Sequence, residues 1–129
     1  MAKRKQKEPL PESYFATVYE DFCYQWDQVE ELVHDMAKEK GWWRDKRNDG
    51  ELIALMHSEL SEALEGLRAG NPTSEKLGKP FTQAEEELAD LVIRLMDMAA
   101  ARGWNIPEAI LEKVQYNAER PYRHGGKKF

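Results

Sequence analysis

Apolar residues recur at intervals of three and four along four stretches of this 129-residue chain, the spacing of one face of an α-helix. The first stretch runs from Ser13 to about Lys40, with Phe15, Val18, Tyr19, Phe22, Trp26, Val29, Val33 and Met36 as its stripe. Ser13 suits an N-cap and Gly41 a stop. The second begins near Asp49 and ends at Gly70, before Asn71-Pro72, with Leu52, Leu55, Met56, Ala63 and Leu67 on its apolar side. The third opens on Thr82-Gln83-Ala84-Glu85, which matches a capping box, and runs to about Arg102. Its apolar arc of Leu88, Leu91, Val92, Leu95, Met96 and Ala99 is wide, so it is expected to be the most buried helix. The fourth starts at Asn105-Ile106-Pro107-Glu108 and ends near Glu119, before Arg120-Pro121. No stretch reads as a strand. The expected fold is all-α, a four-helix bundle-like protomer, with residues 1–12 a flexible basic arm, 13–121 the helical domain and 122–129 a basic tail.

One position breaks the pattern. Glu59 lies seven residues beyond Leu52, displaced by only about 20° on a 3.6-residue helix, so an acid sits inside the second stripe. Violations of local patterning are expected where function is housed. Glu62 follows one turn later on the flank of that stripe. Glu87 and Asp90 repeat the spacing at one edge of the third helix's arc. Each pair points to one side of its helix. If the two helices pack antiparallel, four carboxylates converge. Such a group is costly to bury unless its charge is cancelled, and a hard divalent cation does that with oxygen ligands. Isolated acid pairs at this spacing are common in a chain with 24 acids, and Glu62 with Glu65 forms another. Two pairs on consecutive helices, one of them inside an apolar face, set Glu59, Glu62, Glu87 and Asp90 apart as expected metal ligands.

Composition narrows the classes. Charged residues are 33% and hydrophobic residues 41%, with a net charge of −5, which gives no general affinity for nucleic acid. The single cysteine, Cys23, excludes an internal disulfide and fits a reducing compartment. No apolar run is long enough to span a membrane, and no secretory signal opens the chain, so a cytoplasmic protein is expected.

Around the acids lie residues able to meet a nucleotide. Gly41 to Gly50 reads as a loop carrying Trp42 and Trp43. One ring could anchor the loop on the core; Trp43, or Trp42, could equally stack on a base. Asn48 could read a base or ribose, or cap the second helix. Lys113, Asn117 and Arg120 share one face of the fourth helix and could clamp phosphate and sugar, or form an ordinary polar face whose cations suit the helix C-terminus. Arg123, in the Gly-Gly-Lys-Lys tail, could close over phosphates.

Glu59-x-x-Glu62 followed by Glu87-x-x-Asp90 resembles the signature of the all-α nucleoside triphosphate pyrophosphohydrolases, the MazG-like group, over roughly Asn48 to Phe129. The resemblance implies that these four acids bind magnesium and that the chain hydrolyses a nucleoside triphosphate to the monophosphate and pyrophosphate. It also implies a lysine and an asparagine of a later helix near the nucleotide, and a homodimer or homotetramer. The family often carries a further glutamate directly before its first ligand; here that position is Ser58, which leaves open the number of ions and the group that activates water. Two alternatives belong to other classes. A di-iron carboxylate bundle uses Glu-x-x-His on two helices, and this chain has one, Glu31-x-x-His34. A non-catalytic helical adaptor would tolerate neutral residues at the four acids.

Overall fold

The computed structural model describes the backbone of residues 12–119 and the side chains of residues 16–119. It contains four helices: α1 (Glu12–Glu39), α2 (Asp49–Arg68), α3 (Gln83–Arg102) and α4 (Ile106–Glu119). Among the described residues the only extended pairing is a single antiparallel bridge between Thr73 and Thr82. The chain is therefore of the expected all-α, bundle-like class. The basic arm and tail lie outside the described residues, and so do Arg120 and Arg123.

The helix ends follow from local chemistry. Asn48 caps α2, its Oδ1 accepting from the Glu51 N–H at 2.8 Å. Thr82 and Glu85 form the capping box of α3. Gly103 closes α3 with φ 69°, a left-handed conformation that costs glycine little. At α4, Asn105 and Glu108 hold each other: Asn105 Nδ2 donates to Glu108 Oε2 at 2.8 Å.

The chain divides into two compact units, Val29–Trp104 and Met1–Gln28 with Asn105–Phe129. In the second of these, the Tyr19 hydroxyl donates to Glu112 Oε1 at 3.3 Å, and the Phe22 and Trp26 rings lie 5.8 Å apart.

The Val29–Trp104 unit is built on α2 and α3, which pack antiparallel. The C-terminal half of α2 meets the start of α3, where Gly66 lies against Gln83. At the other end Arg102 Nε donates to Asp49 Oδ1 at 2.7 Å. The buried positions of α2 are Leu52, Met56, Glu59, Ala63 and Gly66, alternating steps of four and three. Leu52, Met56 and Met98 form the core, with Trp43, Leu91 and Leu95 packed against it. Each fully buried side chain of this kind contributes roughly 1.5–3 kcal/mol.

Leu52, Met56, Ala63, Met96 and Ala99 are buried as the stripes predict, and Leu91 and Leu95 pack against the core, but other stripe positions are not buried. Leu67, Leu88 and Val92 are exposed. Glu59, Glu86 and Glu87 are buried instead, with 4–5% of their surface open to solvent. The cause is the α2–α3 contact itself. Small residues, Ala63, Gly66 and Ala84, let the two backbones approach, and that face carries the acids. α3 nonetheless has the most buried positions of the described helices, as its wide apolar arc suggested.

Candidate metal centre

The antiparallel pairing brings Glu59 of α2 beside Glu87 and Asp90 of α3. One carboxylate oxygen from each lies within 4.8 Å of the other two. Glu62 is exposed and stands outside this triad, though near enough to Glu59 and Glu87 to affect the charge state of both. Three of the four acids named by the sequence pattern thus meet at one place, and Glu62 stays outside their cluster.

Their electrostatics show the strain of that gathering. Burial, and then the proximity of Glu59 and Glu62, pushes Glu87 up to about 7. Burial and the Glu59 charge raise Asp90, partly offset by Lys76 and Arg94. Glu59 goes the other way. Burial raises it, but a 2.7 Å hydrogen bond from Arg94 Nε, together with hydrogen bonds to Glu62 and Glu87, holds it below the usual glutamate range. The cluster is a site where negative charge exceeds its local compensation.

A hard cation fits this donor set. Magnesium takes oxygen ligands at about 2.0–2.1 Å, so cis ligands stand about 3 Å apart and trans ligands about 4 Å apart. Small rotations of Glu59, Glu87 and Asp90 would reach those separations. Gln83 supports Glu87 from one turn away, its Nε2 donating to Glu87 Oε1 at 2.5 Å.

Glu59, Glu62 and Asp90 line a cavity of about 610 Å³, together with Lys76, Arg94, Trp42, Arg47 and Asp97. Lys76 comes from the loop between α2 and α3. Its ammonium lies 3.4 Å from Glu86 Oε1, while the Ser74 hydroxyl donates to Glu86 Oε2. Glu86 therefore fastens that loop to the start of α3, and Ser74 N–H to Phe81 O at 2.8 Å closes it on itself.

The two adjacent tryptophans have different environments. The Trp43 indole N–H donates to Asp97 Oδ1 and Oδ2 at 2.9 and 3.1 Å, and its ring packs on the core. The guanidinium groups of Arg47 and Arg102 lie 5.3 and 5.9 Å from its centroid. Trp43 thus anchors the loop. Trp42 is exposed and lines the cavity, with Arg47 5.6 Å from its centroid.

Of the remaining expected contacts, Asn48 has its side-chain oxygen engaged as the α2 cap. Lys113 and Asn117 are exposed on α4, and the Lys113 ammonium stands 4.4 Å from the Tyr116 centroid. His34, the one histidine of the di-iron alternative, donates through Nδ1 to Asp97 at 2.8 Å rather than joining the carboxylate triad.

Pattern reading passed over Arg94, Asp97 and Lys76. Asp97 carries a different signal from Glu59, an acid set in an apolar run of the chain between Leu95, Met96, Met98 and Ala99. Arg94 stands four residues after Asp90, on the same face. Lys76 lies in a polar loop, and nothing in its sequence neighbourhood marks it.

No known family model matches the chain, and no curated protein or solved structure matches it either.

Proposed function

We propose that the chain is a magnesium-dependent nucleoside triphosphate pyrophosphohydrolase. The observation that carries this reading is the convergence of Glu59, Glu87 and Asp90, two of which, Glu59 and Asp90, line with Glu62 a cavity large enough for a nucleotide. In this reading Glu59, Glu87 and Asp90 would hold the ion, with Glu62 flanking the set. Magnesium would neutralise the phosphates and lower the pKa of water bound to it. Glu62, open to the cavity, accepts the proton of the attacking water. Lys76 adds positive charge at the rim. The Trp42 face, exposed beside Arg47, offers the stacking surface for the base, while Trp43 keeps the loop in place.

The reaction is the attack of water on the triphosphate with pyrophosphate leaving. Lys113 and Asn117 belong to the other compact unit, and Arg120 and Arg123 lie outside the described residues, so this reading rests on none of them. The apolar side chains left exposed on α2 and α3, among them Leu60, Leu64, Leu67, Leu88 and Val92, suit a homodimer or homotetramer. No described helix is long and apolar enough to cross a membrane.

The deciding experiment is a panel of ribo- and deoxyribonucleoside triphosphates with magnesium, scoring pyrophosphate against single phosphate release. Pyrophosphate and monophosphate are the expected products, and Glu59→Gln should lower the rate by at least about a hundredfold, the scale of losing one electrostatic contact to the transition state. Release of single phosphates, or full activity in Glu59→Gln, would exclude the reading.

A further inference from the structure

Arg94 stands within a row of acids on α3, four residues after Asp90 and three before Asp97, and lines the same cavity as both. Its Nε donates to Glu59 Oε1 at 2.7 Å. That bond uses one of the five donors of the guanidinium group. The side chain keeps 34% of its surface exposed, whereas that of Glu59 keeps 7%. A buried carboxylate thus holds one edge of an arginine whose remainder faces the space where a ligand would lie.

We propose that Arg94 serves two anions in turn: Glu59 in the metal-free protein, and the polyphosphate of the substrate once a divalent cation takes Glu59. The proposal rests on the carboxylate-metal reading above. A cation that draws charge from the Glu59 carboxylate leaves it a poorer acceptor for the guanidinium, so metal binding weakens the Arg94–Glu59 bond. The freed edge of the planar fork matches two phosphate oxygens at once. Arg94 is then a competitor of the metal and a binding group for the substrate. These are two effects of opposite sign from one residue.

Manganese binding without nucleotide, followed by electron paramagnetic resonance, reads the first effect. Steady-state pyrophosphate release with magnesium reads the second. Arg94→Met should bind manganese about tenfold or more tighter than the unaltered protein, the size of one charge-assisted hydrogen bond. Its KM for nucleoside triphosphate should rise by a similar factor. Arg94→Lys keeps the charge but not the fork. It should bind manganese within about threefold of the unaltered protein and still show a raised KM. Manganese affinity unchanged or weakened in Arg94→Met overturns the proposal. So does an unchanged KM in Arg94→Lys, which decides the matter if Arg94→Met does not fold. An unaltered protein that binds no manganese, or releases no pyrophosphate from any nucleotide, overturns the underlying reading and this proposal with it. An active, metal-binding protein indifferent to Arg94 overturns this proposal alone.

Discussion

The indole N–H of Trp43 reaches both carboxylate oxygens of Asp97, at 2.9 and 3.1 Å, across a sequence distance of 54 residues. This bond, with His34 Nδ1 on the same carboxylate at 2.8 Å, ties the loop after α1 to the C-terminal part of α3. It also sets the neighbouring Trp42 against the cavity. The two tryptophans should therefore respond differently to substitution. Trp43→Phe leaves Asp97 short of a donor in a buried place and should cost about 1–3 kcal/mol in urea unfolding. Trp42→Ala removes an exposed ring and should cost under about 1 kcal/mol. If Trp42 stacks on the base, the same change should raise the KM for nucleotide about tenfold, since one base–aromatic stack is worth roughly 1–3 kcal/mol. Equal stability losses in the two variants would contradict the division of roles.

Gly66 transmits its size to the carboxylate cluster. A Cβ there would come to 2.9 Å from Gln83 Cγ and 3.2 Å from its Cβ. Those atoms are near the backbone of α3, so the side chain cannot swing clear at its far end. Gln83 Nε2 is the donor that holds Glu87. Gly66→Ala should gain helix propensity yet lose stability overall, by about 1–3 kcal/mol from overpacking. It should also weaken divalent-metal binding, because Gln83 must shift. Isothermal titration with manganese checks the second effect; unchanged affinity would show that Gln83 does not position Glu87.

The helices and their ends were legible because they depend on neighbours in sequence. Asn48, Thr82, Glu85 and Gly103 act within a turn of themselves, and their chemistry is written locally. The acid cluster was legible for a different reason. Glu59 violates a periodic pattern, and a violation stands out without knowledge of tertiary structure. What escaped depends on rotation about the helix axis. Leu88 and Val92 continue the stripe of Leu91, Leu95, Met96 and Ala99 without a break in spacing, yet are exposed. Only the close α2–α3 approach through Ala63, Gly66 and Ala84 chooses which positions are buried. Trp43 and Trp42 are adjacent and of one type, so the sequence offered both roles to both rings. The partner of Trp43, Asp97, lies beyond α2 and the following loop.

The titration of Glu87 makes the metal-free protein sensitive to pH in a definite direction. Its folded-state value is about 7 against an ordinary 4.5, raised by burial and by Glu59 and Glu62. A carboxyl raised on folding prefers to be protonated in the native state. Its contribution to stability is full below 4.5 and is lost as pH climbs through about 7, since the native state must then hold one more buried charge. Glu59 and Glu86, which folding lowers, act below this window, where falling pH removes their contribution. In chelator, the melting temperature should therefore decline as pH rises between 4.5 and about 7. Glu87→Gln should flatten that decline and raise the melting temperature at the alkaline end, because it deletes the charge while keeping an acceptor for Gln83. Adding magnesium at the alkaline end should restore the unaltered protein but not Glu87→Gln, since only a carboxylate compensates the ion. A melting temperature that rises across the window in chelator would show that repulsion among Glu59, Glu62 and Glu87 does not govern the fold's response. It would also remove the electrostatic reason for placing a cation there.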